Sequence, residues 1–175
     1  MSLIIHAMRN LTNCIDHLNE WIGKTIAWLT LGMVLVTFMI VILRYFFDLG
    51  WIALQESVNY MHAMVFMLGA AYTLKQDKHV RVDILYQGLA PRNQAWIDCA
   101  GILFLLFPVC GFMIWSSLSY VEDAWQIHEG SRNSGGLPGL YLLKTTLWIM
   151  PGLLILQGLA LLLQKLTQAL GLRTD

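Results

Sequence analysis

A stripe of polar side chains at helical spacing is the part of this sequence best suited to chemistry. Its members are Gln55, Glu56, Asn59 and His62, and Ser116 lies in a later apolar run at a similar depth. Because polar groups near lipid are costly, such a stripe either lines a path for an ion or substrate or makes hydrogen bonds between helices. Its position at the rim of an apolar run favours the second interpretation. We predict an interhelical polar cluster of Glu56, Asn59, His62 and Ser116.

The motifs of a catalytic or metal site are absent from the sequence. Of the five histidines, only His62 falls inside an apolar run, which argues against a haem held by two histidines. The spacings CxxC, HxxxH and HExxH, the phosphate loops and the GxSxG elbow do not occur. Gln157 is a lone polar group inside its run, and no acid or base lies midway along any run. We therefore expect no catalytic residue, no metal and no cofactor in this chain.

Four runs without Asp, Glu, Lys or Arg must position these residues. They cover 25–43, 58–74, 99–121 and 145–164 in a chain that is 57% hydrophobic and 13% charged. At about 1.5 Å per helical residue, the first run extends about 28 Å, close to the ~30 Å hydrocarbon core of a bilayer. Backbone groups in lipid must be paired within their own segment. We predict an all-α integral membrane protein with four transmembrane helices in a single domain, 1–175.

Two further segments are predicted to be helices at the membrane surface. Residues 3–23 place apolar side chains at alternating intervals of four and three, which is typical of an amphipathic helix in the interface or against a partner helix. A coiled-coil seam is the alternative. Residues 82–90 form a short interfacial helix before Pro91, which opens the next helix. Pro108 and Pro151 lie inside the third and fourth spans and should kink them.

The distribution of basic residues predicts the orientation. Most of the eleven Lys and Arg residues lie in the N-terminal segment, in loop 75–98 and in the tail after 164. The positive-inside rule puts these segments and both termini in the cytoplasm. Loops 44–57 and 122–144 then face outward.

The order of residues around the second run is similar to that of a known family. Trp51 and Glu56 precede the run, Lys75 follows it, and His-Val-Arg-Val-Asp comes next at 79–83. This order resembles the small Q-type (DctQ-like) membrane subunit of tripartite ATP-independent periplasmic (TRAP) transporters. Where the family often has paired acids before the second span, this chain has Gln55 and Glu56.

The resemblance implies an accessory role in transport rather than an enzyme. In the family, a large multi-span subunit binds substrate and sodium, and a periplasmic binding protein delivers the substrate, usually an organic acid. The small subunit braces the large, elevator-type subunit in the bacterial inner membrane. Its expected partners are these two proteins and membrane phospholipids, without nucleic acid. The alternative is an autonomous small exporter acting as a homo-oligomer, for which Glu56 is the nearest candidate for an essential carboxylate.

The resemblance also singles out two sets of candidate contact residues. A cytoplasmic motif could bind lipid phosphates through its basic side chains or dock another subunit, and both readings stay open. The charges of loop 122–144 could steer docking of the binding protein, or the loop could simply be solvated. The motif comprises Lys75, His79, Arg81 and Asp83, and the loop candidates are Glu122, Asp123, Glu129 and Arg132.

Overall fold

The computed structural model describes residues 2–77, 86 and 88–171, with side chains from residue 8 onward. These residues form helices and turns without any β-strand, which confirms the all-α class for the described part of the chain. The helices are α1 (Ser2–Phe47), α2 (Ile52–Lys75), α3 (Pro91–Gly101), a π-helical segment (Ile102–Leu106), α4 (Phe107–Gln126) and α5 (Leu140–Ala169).

Three stretches of the described chain are long and apolar enough to cross a membrane. They are Met8–Phe47, Pro91–Gln126 and Leu140–Ala169. The 24-residue helix α2 is not among them, and Asn59 and His62 interrupt its apolar sequence. These findings support a multi-pass membrane protein, whereas the number of four spans stays a prediction.

The predicted surface helix 3–23 and the first span are parts of one helix in the structure. No proline separates them, and Gly23 lies inside α1 where it packs against α2. A Cβ atom at Gly23 would come within 2.4 Å of the Tyr72 ring, so the glycine permits close contact between the two helices. The helix ends where Asp48 adopts a φ of 55°, and the Leu49 N–H bonds to the Leu43 carbonyl at 3.0 Å. This is the usual left-handed termination of a helix.

Pro108 accounts for the irregular segment between α3 and α4. Proline has no N–H and its ring clashes with the carbonyl four residues earlier. The five residues Ile102–Leu106 widen into a π-helix, in which the Phe107 N–H bonds to the Ile102 carbonyl. By contrast, α5 continues through Pro151.

Helix α5 is the central element of the bundle. It packs against each of the other helices, and α1 also packs against α2. Among the described residues, α5 packs against both α2 and α4, whereas α2 and α4 do not contact each other. Small residues bring α5 close to its neighbours: Ala160 is fully buried, and a Cβ at Gly158 would lie 2.5 Å from a Leu106 methyl group.

Candidate functional site: polar contacts at the two ends of the bundle

The structure does not assemble the predicted interhelical polar cluster. Ser116 lies on α4, which does not contact α2 in the described structure, and its hydroxyl donates to the Met113 carbonyl of its own helix at 3.3 Å. Asn59 and His62 are exposed on α2. Glu56 is the exception, because its carboxylate binds a distant loop.

Glu56, near the start of α2, accepts hydrogen bonds from three donors of the loop between α4 and α5. The Ser131 hydroxyl and the Asn133 amide donate to Oε1, the latter at 3.0 Å, and the Leu137 N–H donates to Oε2 at 2.7 Å. We call these four residues the loop clamp. Because Ser131 and Asn133 precede the turn at Gly135 and Leu137 follows it, the carboxylate binds both branches of the loop.

The loop itself is folded around this carboxylate. The Ser131 N–H bonds to the Leu137 carbonyl at 2.9 Å, and the Gly136 N–H bonds to the Asn133 carbonyl at 3.0 Å. Gly135 has a φ of 77°, which favours glycine in this turn. A Cβ at Gly136 would lie 2.4 Å from the Ser131 hydroxyl oxygen and 2.7 Å from Glu56 Oε2. The loop thus has a fixed shape that depends on two glycines and one carboxylate.

These donors favour the ionised form of the carboxylate. The hydrogen bond from Ser131 contributes most, followed by those from Asn133 and Leu137, and together they hold the pKa of Glu56 below its ordinary value of 4.5. Glu56 is therefore an anion at neutral pH, and the loop clamp is a set of charge-assisted hydrogen bonds.

The other loop candidates differ in how accessible they are. Glu129 forms an ion pair with Lys144 of α5, and the two side chains are only 16% and 11% exposed. The Lys144 ammonium also lies 3.8 Å from the centre of the Tyr120 ring. Glu129 therefore fastens the loop to the bundle. The other three loop candidates, Glu122, Asp123 and Arg132, are exposed.

A buried polar contact that the sequence analysis missed joins α1 to α5. Asn19 Nδ2 donates to Gln157 Oε1 at 2.8 Å, and Gln157 Nε2 donates to Asp16 Oδ1 at 2.8 Å. We call these three residues the α1–α5 network. Gln157 is completely buried and Asn19 is 1% exposed. A lone amide in an apolar run, such as Gln157, indicates that a polar partner is needed. The sequence does not show which polar residues of segment 3–23 supply it.

Residues 33–168 match the family model described as "Tripartite ATP-independent periplasmic transporters, DctQ component". The chain belongs to this DctQ family. It is also 29% identical over 134 residues to a Haemophilus influenzae protein named "Putative TRAP transporter small permease protein", and the match covers 76% of each chain. No solved structure matches the chain significantly. The predicted resemblance is thereby confirmed, and the chain is a component of a tripartite transporter with a large subunit and a binding protein.

The loop clamp and the α1–α5 network differ in whether they lie within the range that matches the family model. Every residue of the loop clamp falls inside the matched range, whereas Asp16 and Asn19 of the α1–α5 network precede it. The loop clamp is thus part of the DctQ region of this chain. The network instead fastens the segment that precedes this region onto α5.

The structure places Lys75 against α1 rather than free at the surface. Its ammonium donates to the Asp16 carbonyl at 2.9 Å and pairs with Glu20 at 2.6 Å, and the side chain is 18% exposed. Glu20 also pairs with Lys24 at 2.6 Å. Lys75 therefore joins the end of α2 to α1. The other motif residues, His79, Arg81 and Asp83, and most of the predicted helix 82–90 lie outside the described residues.

The same end of the bundle ties α3 to α5. Lys165 pairs with Asp98 at 2.7 Å, and the Tyr86 hydroxyl donates to the same carboxylate at 2.7 Å. Arg92 Nε donates to the Ala169 carbonyl at 3.0 Å, where the last carbonyls of α5 lack helical partners. In the described part of the chain, no three His, Cys, Asp or Glu side chains converge as metal ligands.

Proposed function

We propose that this chain is the small, bracing subunit of a sodium-coupled TRAP transporter that imports an organic acid delivered by a periplasmic binding protein. In this role the chain packs against the large elevator-type subunit and holds its static part in the bacterial inner membrane. It crosses the membrane four times, at 25–43, 58–74, 99–121 and 145–164.

The observation that carries this proposal is the uneven burial of the apolar helices. Only 6% of the most apolar stretch of Met8–Phe47 is buried within the chain, against 44% for Leu140–Ala169. Trp28, Phe38 and Phe46 of α1 are 73%, 64% and 82% exposed. A family whose members work in tripartite complexes needs such a face for a partner. We therefore assign the outer face of α1 to the large subunit, with phospholipids covering the remaining apolar surface.

The charge distribution supports an orientation with both termini in the cytoplasm. The α1–α5 network and Lys75 then lie on the cytoplasmic side, and the loop clamp lies on the periplasmic side. In this orientation Glu122, Asp123 and Arg132 are placed to meet the binding protein. We expect the segment containing His79, Arg81 and Asp83 to contact lipid phosphates or the large subunit.

Reconstitution tests the function directly. The chain, a large TRAP subunit from the same genome and the binding protein are prepared separately and combined in liposomes with an organic acid and a sodium gradient. We expect copurification of the two membrane subunits, and uptake only when all three proteins and sodium are present. Uptake by the chain alone would refute the proposal and support the autonomous exporter.

Paired substitutions test the docking face. Phe38→Ala on α1 should lower the yield of the complex, whereas Phe104→Ala, which truncates a side chain 76% exposed on the π-helical segment, should not. Truncating a side chain that faces only lipid removes little, because lipid tails replace it, whereas truncation in a packed interface leaves a cavity. Equal yields for both variants would reject α1 as the docking face.

A further inference from the structure

We propose that Glu56 is a positioning residue for the binding protein: its carboxylate folds the loop between α4 and α5 into the shape on which the loaded binding protein docks. This inference rests on the proposed function and adds a residue that makes no contact with the partner itself. The observation that supports this inference is that the single carboxylate of Glu56 accepts hydrogen bonds from three donors of the same loop.

The loop clamp holds an exposed surface in place. Within the loop, Arg132, Asn133 and Ser134 are exposed, while Ser131 and Leu137 are partly covered. Arg132 lies between two residues whose side chains donate to Glu56, Ser131 and Asn133. The position of the Arg132 backbone therefore depends on Glu56, although the Arg132 side chain does not itself bind the Glu56 carboxylate. An exposed arginine at a fixed position suits a carboxylate on the partner surface.

Loss of the loop clamp would weaken binding of the partner, because the loop would have to become ordered during docking. A loop held in its binding shape loses little conformational entropy on association, whereas a loose loop must be ordered by the partner. Substitution of Glu56 should therefore weaken the encounter with the binding protein and leave the later transport step unchanged. A residue that only stabilised the fold would instead lower the amount of active complex and hence the maximal rate.

Two variants separate these possibilities. Glu56→Gln keeps the size of the side chain but replaces one acceptor oxygen with an amide that faces donors. Gly136→Ala acts from the loop side, because its Cβ would fall within 2.7 Å of Glu56 Oε2 and closer still to Ser131. Glu56→Asp retains the charge and should therefore disturb the loop clamp less than Glu56→Gln does. Glu122→Gln is the matched control for the folding of the loop alone, because it removes an exposed carboxylate at the same end of the bundle that is not part of the loop clamp. It does not serve as a control for uptake, since Glu122 is itself a candidate contact of the binding protein.

The experiment measures uptake by the reconstituted three-protein transporter as the concentration of loaded binding protein is varied. We expect Glu56→Gln and Gly136→Ala to raise the half-saturating concentration about tenfold at an unchanged maximal rate, from the loss of hydrogen bonds to a charged group. Limited trypsin digestion of the same complexes should show faster cleavage after Arg132 in both variants. Glu122→Gln should leave the cleavage rate unchanged, and Glu56→Asp should give intermediate values in both assays.

Each outcome bears on a different claim. Unchanged cleavage in Glu56→Gln would overturn the clamping of the loop. Faster cleavage with an unchanged half-saturating concentration, or with a lower maximal rate alone, would overturn the role in docking. A wild-type complex that takes up no substrate with all three proteins present would instead refute the proposed function, and the digestion assay would still report on the loop.

Discussion

Replacing Gln157 by leucine tests the α1–α5 network, because leucine is close to glutamine in size but cannot make hydrogen bonds. Asn19 Nδ2 would lose its acceptor, and Asn19 is only 1% exposed, so water cannot easily take the place of the amide. An unsatisfied buried donor costs about 1–3 kcal/mol. Asp16 would lose a donor as well, but it is partly exposed and can be hydrated, so it adds less.

The expected total is about 2–3 kcal/mol, which corresponds to a fall of about 4–12 °C in the melting temperature of a chain of this size. The assay is thermal unfolding of the purified chain in detergent, followed by circular dichroism. Gln168→Leu is the matched control, because Gln168 is exposed on the same helix, and its melting temperature should stay within about 1 °C of wild type.

A double substitution tests whether Asn19 and Gln157 stabilise the chain as a hydrogen-bonded pair. Asn19→Leu combined with Gln157→Leu removes both partners of the buried hydrogen bond, and removing both is far less costly than leaving one unpaired. The double variant should therefore melt above the value expected from adding the two single effects. A Gln157→Leu protein as stable as wild type, or strictly additive effects, would show that the network contributes nothing measurable to stability.

Three further predictions use other contacts. Gly23→Ala should destabilise the chain by about 1–3 kcal/mol, because its Cβ would meet the Tyr72 ring at 2.4 Å, whereas Gly101→Ala, which has open space around it, should be neutral or stabilising in the same melting assay. Lys75→Met should raise hydrogen exchange at the end of α2, read by mass spectrometry, while Lys24→Met, at an exposed ion pair, should not. Because the pKa of Glu56 is lowered, the loop clamp stabilises the loop above pH 4.5 and is lost as pH falls through the lower pKa of the folded state. A spin label at exposed Ser134 should become mobile in that acidic range, and in Glu56→Gln it should already be mobile at neutral pH.

The helical class could be predicted because lipid leaves few alternatives. Long uncharged runs such as 99–121 and 145–164 must pair their own backbone groups, and both fall within apolar helices of the structure. Helix ends were less predictable. The predicted surface helix 3–23 and the first predicted span form one helix, since Gly23 alone does not end α1. Pro108 predicts a kink in its helix, but the sequence does not specify that the irregularity is a π-helical segment.

The polar sites were harder to predict because they join residues far apart in sequence. Asp16 and Gln157 are separated by 141 positions, and the amphipathic pattern of 3–23 does not indicate which of its polar residues contacts another helix. Similar depth also failed as a guide to Ser116, because depth does not determine which helices touch, and α5 separates α4 from α2. Glu56 was recognised as a polar residue of interest, but its partners came from a loop whose fold depends on local turns.

The loop clamp and the contacts of Lys75 together explain how α2 is held, although its sequence is the least apolar of the long helices. Glu56 lies near its start and binds the loop between α4 and α5, while Lys75 is its last residue and binds α1. Close to the Lys75 end, Ala71 is 1% exposed and Gly69 lies against Ile26 of α1, so this part of α2 depends on close packing of small residues. Contacts of charged side chains thus fix both ends of α2, and small residues pack its last third against α1. Both charged contacts of α2 therefore lie outside the 58–74 run, which fits the proposed position of this run in lipid.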